Sequence, residues 1–326
     1  MKLSIFLTVS NPIERQDPFY EAMSNYFDFA DEVIVVNGNE SDCKIIEKNK
    51  PILNYRNDDG GLAGKEIWYP WPQDFSWDFI GQQFQRGYDA CMGDWVIRAD
   101  CDYFFHENDF EEIRQFLENC DAPVATMPKR QFLLADRSRV KSRVPIAFNK
   151  GKYGNRIKLD SGGDLCQPSL DGKELKPDDL PEISKRELVM ISEGVTQKQL
   201  DARLPGAKRG ESHTFIQVRG IPFWNYECLL RTKEVEAREF HRFAKAWKKT
   251  FGTDPMGADS EEEALKKFLE MQLGRFNSNP GQMTHLDDHP KVMQETIKNL
   301  KPENFGYSLW GNVEKAIYFG GKNEEL

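Results

Sequence analysis

The chain has 326 residues, a formal net charge of −9, 39% hydrophobic residues and 12% aromatic residues. That apolar content supplies a core and excludes wholesale disorder, and the length suits one large α/β domain with elaborations or a catalytic domain plus a helical appendage. The acidic balance argues against a nucleic-acid binder that grips phosphates with a broad basic face, although 129–158 gathers Lys129, Arg130, Arg137, Arg139, Lys141, Arg143, Lys150, Lys152, Arg156 and Lys158 against Asp136 alone.

Residues 2–9 (K-L-S-I-F-L-T-V) form an apolar, β-rich run ended by Ser10-Asn11-Pro12, the profile of a buried parallel strand. The run lacks a small-residue cleavage site, so it reads as a first strand and not as a signal peptide. A helix is expected over 17–29, with Phe19, Met23, Tyr26 and Phe27 on one side. Asp31-Glu32 then leads into V-I-V-V, a second buried strand closed by N-G-N-E-S-D, which completes a βαβ unit.

Residues 74–92 carry the clearest helical signal. Trp77, Ile80, Phe84, Tyr88 and Cys91 step by helical intervals along one stripe, Ser76 can cap the start and Gly93 stops the helix. D-W-V-I-R-A begins a third apolar strand with D-C-D-Y at its carboxyl end. The next helix opens at Asn108, with Glu111 in a capping-box position, and runs to about Asn119. From 123 to 170, strand-like pieces alternate with basic and glycine-rich loops. Residues 171–214 are polar and read as an insertion or mobile loop region with one short helix. I-P-F-W-N-Y is an aromatic strand or turn, and helices are expected over 232–250, 260–274 and 291–299. The expected organisation is a catalytic domain over 1–230 and a helical extension over 231–326 packed on it.

Cys43, Cys91, Cys101, Cys120, Cys166 and Cys228 show neither C-x-x-C nor zinc spacing and read as reduced thiols. No apolar run reaches the length of a membrane span, so a cytoplasmic location is expected.

Asp100 and Asp102 are two apart, and on a strand such residues face the same way. At the carboxyl end of a strand they project into the crevice where open α/β sheets bind ligands. Two carboxylates with one orientation form a hard oxygen site suited to Mg²⁺ or Mn²⁺ that also takes phosphate oxygens. A nucleotide-diphosphate leaving group gains negative charge as its bond breaks, and such a cation stabilises that charge.

The succession L-S-I-F-L-T-V-S-N, D-E-V-I-V-V-N-G-N-E-S-D and M-G-D-W-V-I-R-A-D-C-D resembles the family 2-type glycosyltransferases of the GT-A fold. The resemblance covers about 1–120 and continues weakly through W-N-Y-E, E-F-H-R-F and M-T-H-L-D-D-H-P-K-V-M. It implies an α/β fold, a mixed Rossmann-like sheet flanked by helices. It also implies that Asp100, Cys101 and Asp102 meet the metal and the donor diphosphate, and that Thr8, Val9, Ser10 and Asn11 touch the nucleotide. Asn37 stands where relatives usually carry an Asp facing the base, and its amide can still bond a pyrimidine edge, so uridine is the expected nucleoside. Gln82 and Gln83 occupy the helix region of donor-contacting residues, and His285, in preference to His289, matches a late metal-ligating histidine.

An inverting transfer needs a carboxylate base for the acceptor hydroxyl, and Glu227 and Asp164 are the candidates, with Glu239 beside Arg242 a weaker one. Trp224 and Tyr226 can stack on a sugar face. The acceptor hydroxyl stays open among glycans, lipids, proteins and modified nucleobases. A nucleotidyltransferase is the alternative within the same fold, but the first-strand end lacks the glycines it needs. A non-catalytic carbohydrate-binding protein is the third reading, and the two intact aspartates argue against it. No G-x-G-x-x-G and no G-x-x-x-x-G-K-[ST] follows a strand, which disfavours nicotinamide and P-loop chemistry.

Overall fold

The structure, a computed structural model, describes residues 1–39, 64–72, 74–159, 167–191, 213–227, 229–252, 258–279 and 281–304. Its centre is a nine-stranded mixed sheet. One half is parallel, in the order β3 (Gly64–Trp68), β2 (Glu32–Asn37), β1 (Leu3–Val9) and β4 (Trp95–Ala99). Next to β4 lies antiparallel β7 (Arg137–Asn149), followed by β6 (Val124–Leu134), β13 (Phe223–Asn225) and β5 (Tyr103–Phe104). β6 runs antiparallel to β7 and parallel to β13, so the carboxyl ends of β1, β4, β6 and β13 share one edge. The strand β14 (Gln282–Met283) adds to β7. The fold is the α/β type expected from the sequence, a mixed sheet flanked by helices.

β1 is continuously apolar because both of its faces are covered. Leu3, Ile5, Leu7 and Val9 enter one core with α1 (Phe19–Phe29), α3 (Phe110–Glu118) and α6 (Lys291–Lys298). Phe6 enters the other core with Ile80, Phe84 and Tyr88 of α2 (Trp77–Ala90). Each fully buried side chain of this size contributes about 1.5–3 kcal/mol through the area it removes from water.

Several local expectations change. Ser76 occupies the cap position of α2 without a side-chain cap bond. The orphaned Trp77 amide instead donates to Thr250 Oγ1, 2.7 Å away on α4 (Lys233–Phe251). Gly93 follows the helix end at Ala90, and what requires glycine there is close approach: a Cβ would lie 2.6 Å from Ser4 Oγ. Before α3, a 3-10 turn Glu107–Asp109 is capped by His106, whose Nδ1 accepts from the Asn108 amide at 3.1 Å, and Asp109 at the cap position of α3 makes no side-chain cap bond.

The basic stretch 129–158 is not a set of loops, because β6 and β7 are long paired strands. The polar region forms two small sheets, β8–β10 (Ile157–Lys158, Ser169–Leu170, Lys173–Glu174) and the β11–β12 pair (Ser184–Ile191, His213–Gly220). Its expected short helix is, among the described residues, the 3-10 turn Pro177–Asp179. α4 and α5 (Glu261–Ser278) pack together through Phe240 and Phe268, and α4 sets Phe243 and Trp247 edge-on against Trp77. These two helices lie over the carboxyl edge of the sheet.

Candidate active site

The edge opens into a cavity of about 320 Å³. Its floor is the end of β1, with Thr8, Val9 and Ser10, and the segment after β4, with Asp100, Cys101 and Asp102. Glu227 and Arg275 stand at one side, and Trp71, Phe240, Phe243, Phe268 and Met271 form an apolar wall. Eight candidate site residues from the sequence, Thr8, Val9, Ser10, Asp100, Cys101, Asp102, Glu227 and Glu239, are therefore brought together.

The acidic segment is fixed from several directions. The Tyr26 hydroxyl, buried in α1, sits 2.6 Å from the Tyr103 carbonyl and also meets the Asp100 carbonyl. The Tyr103 amide donates to the Asp100 carbonyl at 2.9 Å, and the Tyr226 amide donates to the Asp102 carbonyl at 2.8 Å. β13 pairs Asn225 with Tyr103, and Asn225 Nδ2 donates to Asp102 Oδ2 at 2.7 Å.

The two carboxylates differ in surroundings. Asp100 Oδ2 lies 2.6 Å from Arg98, a buried guanidinium stacked 4.1 Å over the Phe84 ring. Among the described residues, no cation forms an ion pair with Asp102 as Arg98 does with Asp100. The Asp102 carboxyl is pushed up to about 7, by burial first and then by the Asp100 charge, with Lys129 opposing. Glu227 is moved the other way: burial raises it, but Lys129, Lys141, Arg275 and Arg231 together hold its carboxyl below the usual range. Glu227 Oε2 accepts from Gln131 Nε2 at 2.6 Å and lies 3.8 Å from Lys129 Nζ, and its side chain keeps 44% exposure.

Ion pairs the sequence did not reveal close the far side. Arg231 bridges Asp17 at 2.7 Å and Glu236 at 3.1 Å. Arg15 reaches Asp17 at 3.2 Å and Glu239 at 3.5 Å. Glu239 lies 3.6 Å from Arg242, as its sequence position suggested, and also lines the cavity.

Other expected residues stand elsewhere. Asn11 adopts φ 49° and its amide donates to Asn39 Oδ1, outside the cavity lining. Asn37 is fully buried, donating to Glu66 at 2.6 Å and accepting from the Asn39 amide at 2.9 Å, so its side chain ties β2 to β3 and shapes the following turn. Gln82 is exposed beside the Tyr69 hydroxyl, and buried Gln83 donates to the Tyr69 carbonyl at 2.7 Å, so both brace that segment and neither lines the cavity. Trp224 and Tyr226 are 5% and 2% exposed, which leaves no ring face for a sugar. They pack with Phe132 and His289, and the Tyr226 hydroxyl is 2.8 Å from His289 Nδ1. His285 is exposed at the start of the 3-10 turn Leu286–Asp288, away from the cavity lining, so the structure does not bring it to the aspartate pair. Asp164 lies outside the described residues.

Among the described residues, no group of three or more His, Cys, Asp or Glu side chains is placed to hold a metal ion. The donor set at the edge is thus two carboxylates, one engaged by Arg98. That set fits a hard cation that takes its remaining oxygens from a bound phosphate and water, and it does not fit a cation caged by protein alone. No described helix is long and apolar enough to cross a membrane.

No family model matches the chain, and no curated protein matches it. Among solved structures, it is similar to Staphylococcus aureus TarS 1–349 at 12% identity and a TM-score of 0.36, over 86% of this chain and 74% of that one. The same TarS segment in complex with UDP-GlcNAc matches at 16% identity and a TM-score of 0.31, over 40% of this chain and 35% of that one. A nucleotidyl transferase from Methanothermobacter matches at 14% identity and a TM-score of 0.30, over 55% of this chain and 89% of that one. Against the longer TarS structure the chain spans 22% of that protein's length. Likenesses this distant carry no weight on activity, so the fold rests on its strand order and the site on its geometry.

Proposed function

We propose that the chain is a glycosyltransferase that binds a nucleotide-diphosphate sugar, a UDP-sugar first, and transfers the sugar to an acceptor hydroxyl. The observation that supports this most is the joint placement of Asp100 and Asp102 with the end of β1 in one cavity at the carboxyl edge of the sheet. Thr8, Val9 and Ser10 border the nucleotide side. Asp102, with Asp100 behind it, would hold Mn²⁺ or Mg²⁺ against the donor diphosphate; when bound, the cation neutralises charge on the departing phosphate.

Asn225 and the Tyr226 amide keep Asp102 aimed into the cavity. Arg98 balances Asp100 and limits the net charge of the aspartate pair. Glu227 is ionised at neutral pH, because the cations around it hold its proton affinity down. It is therefore ready to accept the acceptor's hydroxyl proton, which becomes acidic as the new glycosidic bond forms. In this reading the transfer inverts the anomeric centre.

The test is calorimetry of UDP with the chain, with Mn²⁺ or Mg²⁺ and then with chelator. Binding that needs the cation is expected, and equal binding in chelator removes the metal role. Incubation with a panel of nucleotide-sugars separates the two transferase readings: release of UDP supports sugar transfer, whereas release of pyrophosphate from a nucleoside triphosphate and a sugar phosphate supports nucleotidyl transfer.

A further inference from the structure

Gln131 on β6 and Arg139 on β7 are register partners, so their side chains leave the same face of the sheet. Lys129 and Lys141 lie two positions away on their strands, at a shift in the β6–β7 register, and both act on Glu227. Gln131 and Lys129 both reach Glu227, at 2.6 Å and 3.8 Å, which places this face at the side of the cavity. Arg275 comes down from α5 to line the same side. Lys141 thus has Arg275, Lys129 and Arg139 around it, with Glu227 as counter-charge. Burial and then the Arg275 and Lys129 charges push its ammonium down to about 8. Arg139 Nε is shielded from solvent without a hydrogen-bond partner among the described residues.

Arg275, Lys129 and Arg139 crowd Lys141 and repel it, with Glu227 as counter-charge, in a chain whose net charge is −9. Such an excess is relieved by an anion of more than one charge, and arginine and lysine together suit a phosphate. The cluster flanks Glu227, the group to which the acceptor hydroxyl must come.

We propose that Lys129, Arg139, Lys141 and Arg275 seat a phosphate carried by the acceptor, so that the acceptor is a phosphorylated molecule whose hydroxyl is delivered to Glu227. The inference rests on the nucleotide-sugar reading above. The donor diphosphate is the other source of the same chemistry, and the experiment separates the two.

The full chain is titrated with inorganic phosphate in calorimetry, first alone and then after saturation with UDP and Mg²⁺. Saturable phosphate binding is expected in both cases. It is expected to weaken at least tenfold in Lys141→Gln and in Arg139→Gln, while UDP affinity stays within threefold. Phosphate binding that disappears once UDP is bound overturns the inference, because the cluster then holds the donor. Unchanged phosphate affinity in both variants overturns it as well. If Lys141→Gln fails to fold, Arg139→Gln, which does not line the cavity, carries the comparison alone. A wild-type chain that binds UDP but not phosphate defeats this inference alone, whereas one that does not bind UDP defeats the nucleotide-sugar reading itself.

Discussion

Asn225 Nδ2 donates a 2.7 Å hydrogen bond to Asp102 Oδ2, joining the last residue of β13 to the second carboxylate of the acidic pair across a sequence separation of 123 residues. Asn225 is fully buried and its Oδ1 has no hydrogen-bond partner among the described residues. Its amide is therefore committed to one task, the aim of Asp102.

Replacing that amide should loosen Asp102 while leaving both carboxylates present. Asn225→Ala is expected to weaken cation-dependent UDP binding about tenfold and to cost about 1–2 kcal/mol of stability for the lost buried bond. Calorimetry and thermal melts read the two effects separately. UDP affinity unchanged in a destabilised Asn225→Ala protein would reduce Asn225 to a packing residue.

Arg98 and Asp100 form the second relationship. Asp100 keeps 28% side-chain exposure, whereas Arg98 is nearly sealed, so water can replace the arginine for the aspartate but not the reverse. Arg98→Gln should cost about 2–3 kcal/mol, toward the low end for breaking a buried pair, because the carboxylate left behind can hydrate. The same change removes the cation that competes for Asp100. Mn²⁺ affinity in the absence of nucleotide should rise about tenfold; no rise would show that Asp100 is not a cation ligand.

Much of this arrangement was legible from local pattern. β1, β2 and β4 showed as apolar runs, because strands covered on both faces need no polar alternation. D-C-D was expected on the strand itself, but it forms the turn that follows β4, closed by the Tyr103 amide on the Asp100 carbonyl. The 137–144 stretch falls where strand pieces were expected to alternate with basic loops, and it lies wholly within the long strand β7. Its R-S-R-V-K-S-R-V in fact alternates with period two, and the charged face turns to the cavity side of a strand. The Asp17–Arg231 and Arg15–Glu239 pairs join residues more than 200 positions apart, and no local pattern encodes such contacts. The different surroundings of His285 and His289 were out of reach for a related reason. Burial of one histidine depends on where Phe132, Trp224 and Tyr226 meet, which only tertiary structure decides.

Glu227→Gln tests the base directly. The amide keeps the side chain's length and can still pair with Gln131, so the fold and the donor pocket should persist. Turnover should fall by a factor of about 10²–10⁴, the usual range for a general base, with UDP affinity within threefold. If turnover survives, Glu239, which also lines the cavity, becomes the residue to replace, as Glu239→Gln.

His289 gives the chain a predictable acid sensitivity. The ring is 1% exposed, stacked near Phe132 and Trp224, with Nδ1 at the Tyr226 hydroxyl. Burial first, and then the Arg130 and His106 charges, lower its pKa to about 4, against partial opposition from the Ala135 carbonyl and Asp288. An unfolded histidine takes a proton near 6.5, so between about 6.5 and 4 the unfolded chain binds a proton that the folded chain refuses. Stability is therefore full above pH 6.5 and falls as the pH drops toward 4, by up to about 3 kcal/mol from this one ring. Chemical denaturation at pH 7.5, 6 and 5 should show that fall in the wild type and a shallower one in His289→Gln, which cannot be protonated. The variant will start from a lower stability at pH 7.5, because its amide fits the aromatic stack less well, so the slope against pH and not the absolute value carries the test. Equal slopes would place the acid sensitivity elsewhere, in carboxylates such as those that pair with Arg231.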